Sequence, residues 1–263
     1  MTQVFDVKAF AGKTALITGG TSGIGKITAL ALARHGANVV ITGRRSAEGE
    51  AVAAEIRKTG VQSAFVQGDV TNEKHMEAAV AKAASITGTL DFAFNNAGVE
   101  LGNTPTSEST AEQYRHVMDV NVLGVLLSMK HEIRAMLNNN KGKGAGSIVN
   151  TSSIAGRIGM PGTGIYIASK HAVNGLTKSS ALEVAKNNIR INTVSPGGVD
   201  TEMLDRFTGN KNPDAMAWMN SMHPIGRIAT PDEIAHPVLF LFSDASSFIT
   251  GSDLVVDGGF TTP

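Results

Sequence analysis

The stretch Lys13-Thr-Ala-Leu-Ile-Thr18-Gly19-Gly20-Thr21-Ser22-Gly23-Ile24-Gly25-Lys26-Ile27 holds the decisive pattern of the chain. Lys13 to Thr18 is a short run of apolar and β-branched residues that reads as a strand, and Gly23 to His35 is an Ala/Leu-rich amphipathic run that reads as a helix. Between them Gly19, Gly23 and Gly25 stand in GxxxGxG spacing, with Thr21, Ser22 and Ile24 filling the loop. Such glycines permit a tight turn and let backbone approach a pyrophosphate, whose charge is favoured at a helix N-terminus. The spacing differs from the GxGxxG fingerprint, and on its own the loop reads equally as a structural strand-to-helix turn. Its place between a strand and a helix favours a dinucleotide site. Gly25-Lys26 is followed by Ile27 rather than Ser or Thr, which argues against a triphosphatase P-loop.

The same strand-then-helix rhythm runs outward through the chain. Lys13 to Thr18, Asn38 to Thr42, Gln62 to Gln67, Leu90 to Phe94, Gly146 to Thr151, Ile189 to Val194 and Ser252 to Val256 are the expected strands. Gly23 to His35, Ala47 to Thr59, Asn72 to Thr87, Ala111 to Leu137, Gly164 to Lys186 and Pro231 to Phe242 are the expected helices. Right-handed crossovers then give an α/β, Rossmann-type, doubly wound parallel sheet of about seven strands with helices on both faces. Ligand is expected at the carboxyl ends of the strands. No linker divides residues 1–263, so they are read as one domain; Asn138 to Gly144 is polar and reads as an exposed loop.

Composition excludes several function classes. With 23 Lys+Arg against 23 Asp+Glu and no basic block, the chain is not expected to bind nucleic acid or a membrane surface. Cysteine is absent, which removes disulfides, thiol nucleophiles and Cys-ligated zinc, and the seven His form no HExxH, so no metal is expected. The Met1 end shows no apolar core of signal-peptide length, and the longest apolar runs are too short to span a bilayer; a cytoplasmic protein is expected.

The chemistry is carried by Tyr166-Ile-Ala-Ser-Lys170, with Ser153 thirteen positions upstream of the tyrosine. A spacing of four puts phenol and ammonium on one helix face, where the cation is expected to favour the phenolate. A free Tyr titrates near ~10, so bringing it to neutrality takes roughly 4 kcal/mol of preferential stabilisation of the anion. Each residue also has a plainer reading: Tyr166 as a core-edge aromatic, Ser153 beside Ser152 as a turn or cap, and Asn121 as a buried amide in a helix.

Taken together, these residues resemble the short-chain dehydrogenases/reductases in their compact single-domain form. The resemblance runs from about Ala11 to Gly259 and rests on Thr18-Gly19-x3-Gly23-x-Gly25, Asp69, Asn95-Asn96-Ala97-Gly98, Asn121, Ser153, Tyr166-x3-Lys170 and Pro196-Gly197 followed by Thr201. It implies that Tyr166 is the general acid/base and that Lys170 holds the nicotinamide ribose while lowering the Tyr pKa. It further implies that Ser153 bonds the substrate oxygen and that Asn121 supports a water-linked proton path. Asp69, with Val70, would face the adenine, although local sequence reads Asp69 equally as a cap near Thr71. Asn95, Ala97 and Gly98 would lie beside a ribose, and Pro196, Gly197, Val199 and Thr201 beside the nicotinamide. A homotetramer is implied as well.

The end of the second strand bears on the choice of cofactor. NAD sites place Asp or Glu there for the ribose 2′-hydroxyl, whereas Arg accommodates the 2′-phosphate of NADP. Here Val39-Val40-Ile41-Thr42-Gly43-Arg44-Arg45 offers glycine and two arginines, which favours NADP over NAD, with solvated loop charges as the alternative. The other basic residue of NADP-type members, just before the second loop glycine, is Ser22 here.

Val199 to Pro224 corresponds to the family's substrate loop and carries Met203, Phe207 and Trp218; it is expected to be a lid, with static packing or a subunit contact as alternatives. With Ile154 and Met160 near Ser153, the pocket is expected to suit an uncharged or mostly apolar secondary alcohol or ketone. The expected activity is NAD(P)-dependent interconversion of the two. The alternatives are an NAD-dependent dehydrogenase of a cyclic or polyol substrate, and a catalytically silent dinucleotide-sensing protein, against which Ser, Tyr and Lys are all present.

Overall fold

The structure, a computed structural model, describes residue 6 and residues 8–262. The expectation for the Met1 end, and the outermost residues of the 1–263 span, lie outside the described residues. The elements alternate from β1 (Thr14–Thr18), α1 (Gly23–Arg34), β2 (Asn38–Gly43), α2 (Ser46–Arg57), β3 (Ser63–Gln67), α3 (Glu73–Thr87) and β4 (Phe92–Asn95) to α4 (Ala111–Met118) and α5 (Gly124–Leu137). A distorted turn, α6 (Asn139–Gly142), leads into β5 (Gly146–Thr151), α7 (Gly164–Val184), β6 (Ile189–Pro196), α8 (Glu202–Phe207), α9 (Pro213–Ser221), α10 (Pro231–Phe242) and β7 (Asp253–Val256).

All seven strands join one parallel sheet in the order β3-β2-β1-β4-β5-β6-β7. Successive side chains of a strand point to opposite faces, so each central strand feeds two cores. Ala15, Ile17, Val39 and Ile41 pack under α1, α2 and α10. Leu16, Val40, Ala93 and Ile148 pack under α3, α5 and α7. This is the doubly wound Rossmann-type architecture expected. Strand order reverses between β1 and β4, and the crevice at their carboxyl ends is where such sheets take ligands.

Two stretches depart from the sequence expectation. The single helix expected over Ala111 to Leu137 is interrupted by a π-turn at Asp119–Leu123. That turn carries the buried Asn121, whose Nδ2 donates to the Val99 carbonyl at 2.9 Å and to Ser169 Oγ at 3.1 Å, while its Oδ1 accepts from the Val99 amide at 2.8 Å. Satisfying three partners offsets the cost of a wide turn, a form common at functional sites. The segment from residue 199 to 224 is largely helical rather than bare loop. Asn212 caps α9 by accepting from the amides of Asp214 and Ala215, and Leu204, Met219, Thr208 and His223 are buried. No described helix is long and apolar enough to cross a membrane.

Candidate active site

The carboxyl ends of the strands enclose a cleft of about 680 Å³. Its floor is pinned at the strand-order reversal. Thr18 Oγ1 accepts from the amides of Asn96 and Ala97, at 3.1 and 3.2 Å, and Asn96 Nδ2 donates to the Gly19 carbonyl at 3.2 Å. Gly19 has φ +64°, and a Cβ there would stand 2.9 Å from Ala97 Cα. A Cβ on Gly25 would stand 2.4 Å from the Gly19 carbonyl oxygen. Only glycine allows this close approach.

Above the floor, the α1 N-terminus has no side-chain cap, because the Ser22 hydroxyl accepts from Arg45 Nη2 at 2.7 Å instead. Its amides are therefore free to meet an anion, and Gly23 and Ile24 line the cleft. The two arginines after β2 separate in role. Arg45 donates to Thr21 and Ser22 and pairs with Glu202 at 3.2 Å, bracing the glycine loop. Arg44 lines the cleft beside Gly43, and among the described residues its guanidinium makes no recorded hydrogen bond or ion pair. A Cβ on Gly43 would stand 2.9 Å from Thr21 Cγ2, so a side chain there requires the Thr21 side chain to shift.

Asp69 and Val70 also line the cleft. Asp69 Oδ1 accepts from the Thr71 amide at 3.0 Å and hydroxyl at 2.8 Å in a local turn, while the cap of α3 is Asn72, which accepts from the Lys74 amide at 3.0 Å. Burial raises this carboxyl, yet the Thr71 bonds and the charges of Arg44 and His75 outweigh burial and hold it below the usual carboxylate range. Ala97, Gly98, Pro196, Gly197, Val199 and Thr201 line the cleft further along.

The reactive groups sit where β5 ends and α7 begins. Ser152 is buried and donates to the Lys170 carbonyl at 3.3 Å, whereas Ser153 is partly exposed, accepts from the Ala155 amide at 3.2 Å and lies near enough to Tyr166 to act on its phenol. Ser153 therefore lines the cleft while also serving as the cap that the plainer reading gives it. Lys170 Nζ donates to the Thr151 carbonyl at 2.9 Å and lies 5.5 Å from the Tyr166 ring centroid. Burial pulls the Lys170 ammonium down to about 8. Burial also pushes the Tyr166 phenol up to about 12, against the Ser153 bond that lowers it and with the Glu100 charge that raises it further. The expected lowering of the phenol by Lys170 is therefore not met in the free protein, because burial disfavours the charged form of both groups.

Ile154, Met160, Met203, Phe207 and Trp218 line the cleft beside Tyr166. Gly25, Asn95 and Asn121 do not line it. The Asn95 side chain turns into the core, where its Nδ2 donates to Glu132 Oε2 and to Asn150 Oδ1, each at 2.9 Å. Sequence reasoning missed Glu100 and Arg206, which line the cleft as an ion pair. They are 106 residues apart, and no local pattern links them.

Comparison with known proteins then settles the family. Residues 19–261 match the family model described as Enoyl-(Acyl carrier protein) reductase. The chain is a short-chain dehydrogenase/reductase. It is 44% identical over 250 residues to a 2,5-dichloro-2,5-cyclohexadiene-1,4-diol dehydrogenase of Sphingobium indicum, covering 95% of this chain and 97% of that one. A cyclohexanol dehydrogenase of Acinetobacter sp. is 44% identical over 253 residues, with 96% of each chain covered. Among solved structures, carveol dehydrogenase from Mycobacterium avium in complex with NAD superposes with a TM-score of 0.92 at 30% identity, covering 97% of this chain and all of that one. This short-chain dehydrogenase/reductase is an oxidoreductase that interconverts a secondary alcohol and a ketone with a nicotinamide dinucleotide.

Proposed function

We propose that the chain reduces a cyclic ketone, or oxidises the matching secondary alcohol, with NADP as the favoured dinucleotide. One observation carries this assignment: Ser153, Tyr166 and Lys170 line one cleft together with Ile154, Met160, Met203, Phe207 and Trp218. The free α1 N-terminal amides and Arg44 form an anion-binding set that fits a dinucleotide's phosphates, and Thr201 and Lys170 lie where its nicotinamide riboside would be held. The dinucleotide supplies the hydride in reduction and accepts it in oxidation.

Ser153 holds the substrate oxygen by a hydrogen bond. Tyr166, protonated across the physiological range, donates its proton to that oxygen as the ketone is reduced. In oxidation the phenolate takes the proton back, so the oxidative rate rises with pH. Lys170, 5.5 Å from the Tyr166 ring centroid, would hold the ribose hydroxyls of the dinucleotide. Asn121 acts by holding Val99 and Ser169 in place beside Lys170, supporting proton passage toward solvent. NADP is supported by Arg44 at the rim of the cleft and by glycine at position 43, which offers no carboxylate to a ribose 2′-hydroxyl. A cyclic substrate is supported by the apolar wall and by relatives named for a cyclohexadiene diol and for cyclohexanol. By the family resemblance we assign a homotetramer in the cytoplasm.

Tyr166→Phe tests the assignment, because it removes the proton donor while keeping the ring. Turnover of cyclohexanone should fall by roughly 10²–10⁴-fold with dinucleotide affinity retained. Activity within about tenfold of wild type would remove Tyr166 from the role of acid.

A further inference from the structure

The substrate half of the cleft contains one polar feature that the hydride chemistry leaves unused. Glu100 follows Val99, whose amide and carbonyl are both clamped by the buried Asn121, so the backbone that presents Glu100 is fixed. Its carboxylate receives Arg206 from α8 in a two-point grip, Nε to Oε1 at 2.9 Å and Nη2 to Oε2 at 3.3 Å. The carboxylate side chain is 17% exposed and the guanidinium side chain 58%, so Glu100 is the more enclosed partner of the pair. Both line it among Leu101, Met160 and Phe207. Glu100 is also close enough to Tyr166 for its charge to act on the phenol.

A carboxylate against an apolar wall is costly unless it is paired, and here a paired one is held at the cleft by two other elements. Each Glu100 oxygen accepts one bond from Arg206 and keeps a lone pair free for a further donor. We infer that Glu100, held by Arg206, is a substrate subsite that accepts a hydrogen bond from a second hydroxyl on a cyclic alcohol, across the ring from the carbon that reacts at Tyr166. The preferred substrate class is then an uncharged cyclic diol, or the hydroxyketone formed from it. A plain cycloalkanol leaves the carboxylate without that donor, and a site built to bond a hydroxyl rejects the analogue lacking it.

The inference rests on the proposed alcohol chemistry of the cleft, so the test separates the two. Trp218 is the only tryptophan of the chain and lines the cleft, so its fluorescence reports binding directly. Cyclohexanol and cyclohexane-1,4-diol are titrated by this signal and assayed for dinucleotide reduction, in wild type, Glu100→Leu and Arg206→Met. Wild type should favour the diol, and Glu100→Leu should lower the ratio of diol to cyclohexanol kcat/KM, and of their affinities, by about 10- to 100-fold. Arg206→Met, which removes the two-point grip but leaves the acceptor, should lower the ratio too, by less than Glu100→Leu, and an unchanged ratio would overturn the holding role of Arg206. Equal losses on both alcohols in Glu100→Leu would show a structural role and overturn the subsite while leaving the alcohol chemistry intact. Wild type that oxidises neither alcohol, with either dinucleotide, would overturn the proposed function and the subsite with it.

Discussion

Arg44→Ala isolates the contact that decides cofactor choice. Among the described residues the Arg44 guanidinium makes no hydrogen bond or ion pair and acts only through its charge on Asp69, so its removal breaks no internal bond. Arg45→Ala, by contrast, would release Thr21, Ser22 and Glu202 together. A hydrogen bond to a charged group contributes about 1.5–3 kcal/mol, which spans roughly 10- to 100-fold in affinity. Arg44 is exposed, so solvent and salt screen it and the lower end applies, about tenfold. The assay is kcat/KM for NADP and for NAD at fixed ionic strength, with one alcohol. Arg44→Ala should lose about tenfold with NADP and stay near wild type with NAD, whereas Arg45→Ala should weaken both alike through the glycine loop. An unchanged NADP-to-NAD ratio in Arg44→Ala would refute the phosphate role and leave Arg44 as a solvated surface charge.

Two further outcomes follow from buried ionisable groups. Lys170 is lowered in the fold to about 8 from an unfolded value of about 10.4, so the unfolded chain binds more protons between these values and the group's cost fades as pH rises through that window. Urea unfolding at pH 7 and 9.5 should show wild type gaining about 2 kcal/mol relative to Lys170→Met over that interval, and parallel curves would sink the burial account. Glu132 runs the other way: burial raises it to about 8, against the Asn95 bond that lowers it, so its cost appears as pH climbs above about 4.3 and is complete only above about 8. Its Oε1 and Asn95 Oδ1 are both buried without a partner, and an amide in place of the carboxylate offers a donor that never ionises. Glu132→Gln should therefore raise stability by a few kcal/mol at pH 8 and by little at pH 5, and equal effects at both pH values would contradict the titration.

What the sequence determined by itself is local. β-branched runs and Ala-rich amphipathic runs follow periods set by neighbouring residues, and β5 and α10 fall on the expected bounds. The glycine loop was legible because Gly19 and Gly25 sit in one turn, and Tyr166 and Lys170 because one helical turn puts them on one face. Parallel crossovers of one hand then put the ligand site at the carboxyl ends of the strands. Only the tertiary structure decided the rest. Whether Arg44 or Arg45 is free depends on Glu202, 157 residues beyond Arg45. The Glu100–Arg206 pair and the Asn95–Glu132 contact join segments with no shared period. The protonation of Tyr166 and Lys170 turned on burial, which the four-residue spacing does not encode. Helix and strand periods record what a residue's near neighbours require, whereas desolvation and charge pairing depend on which distant segments close around a group.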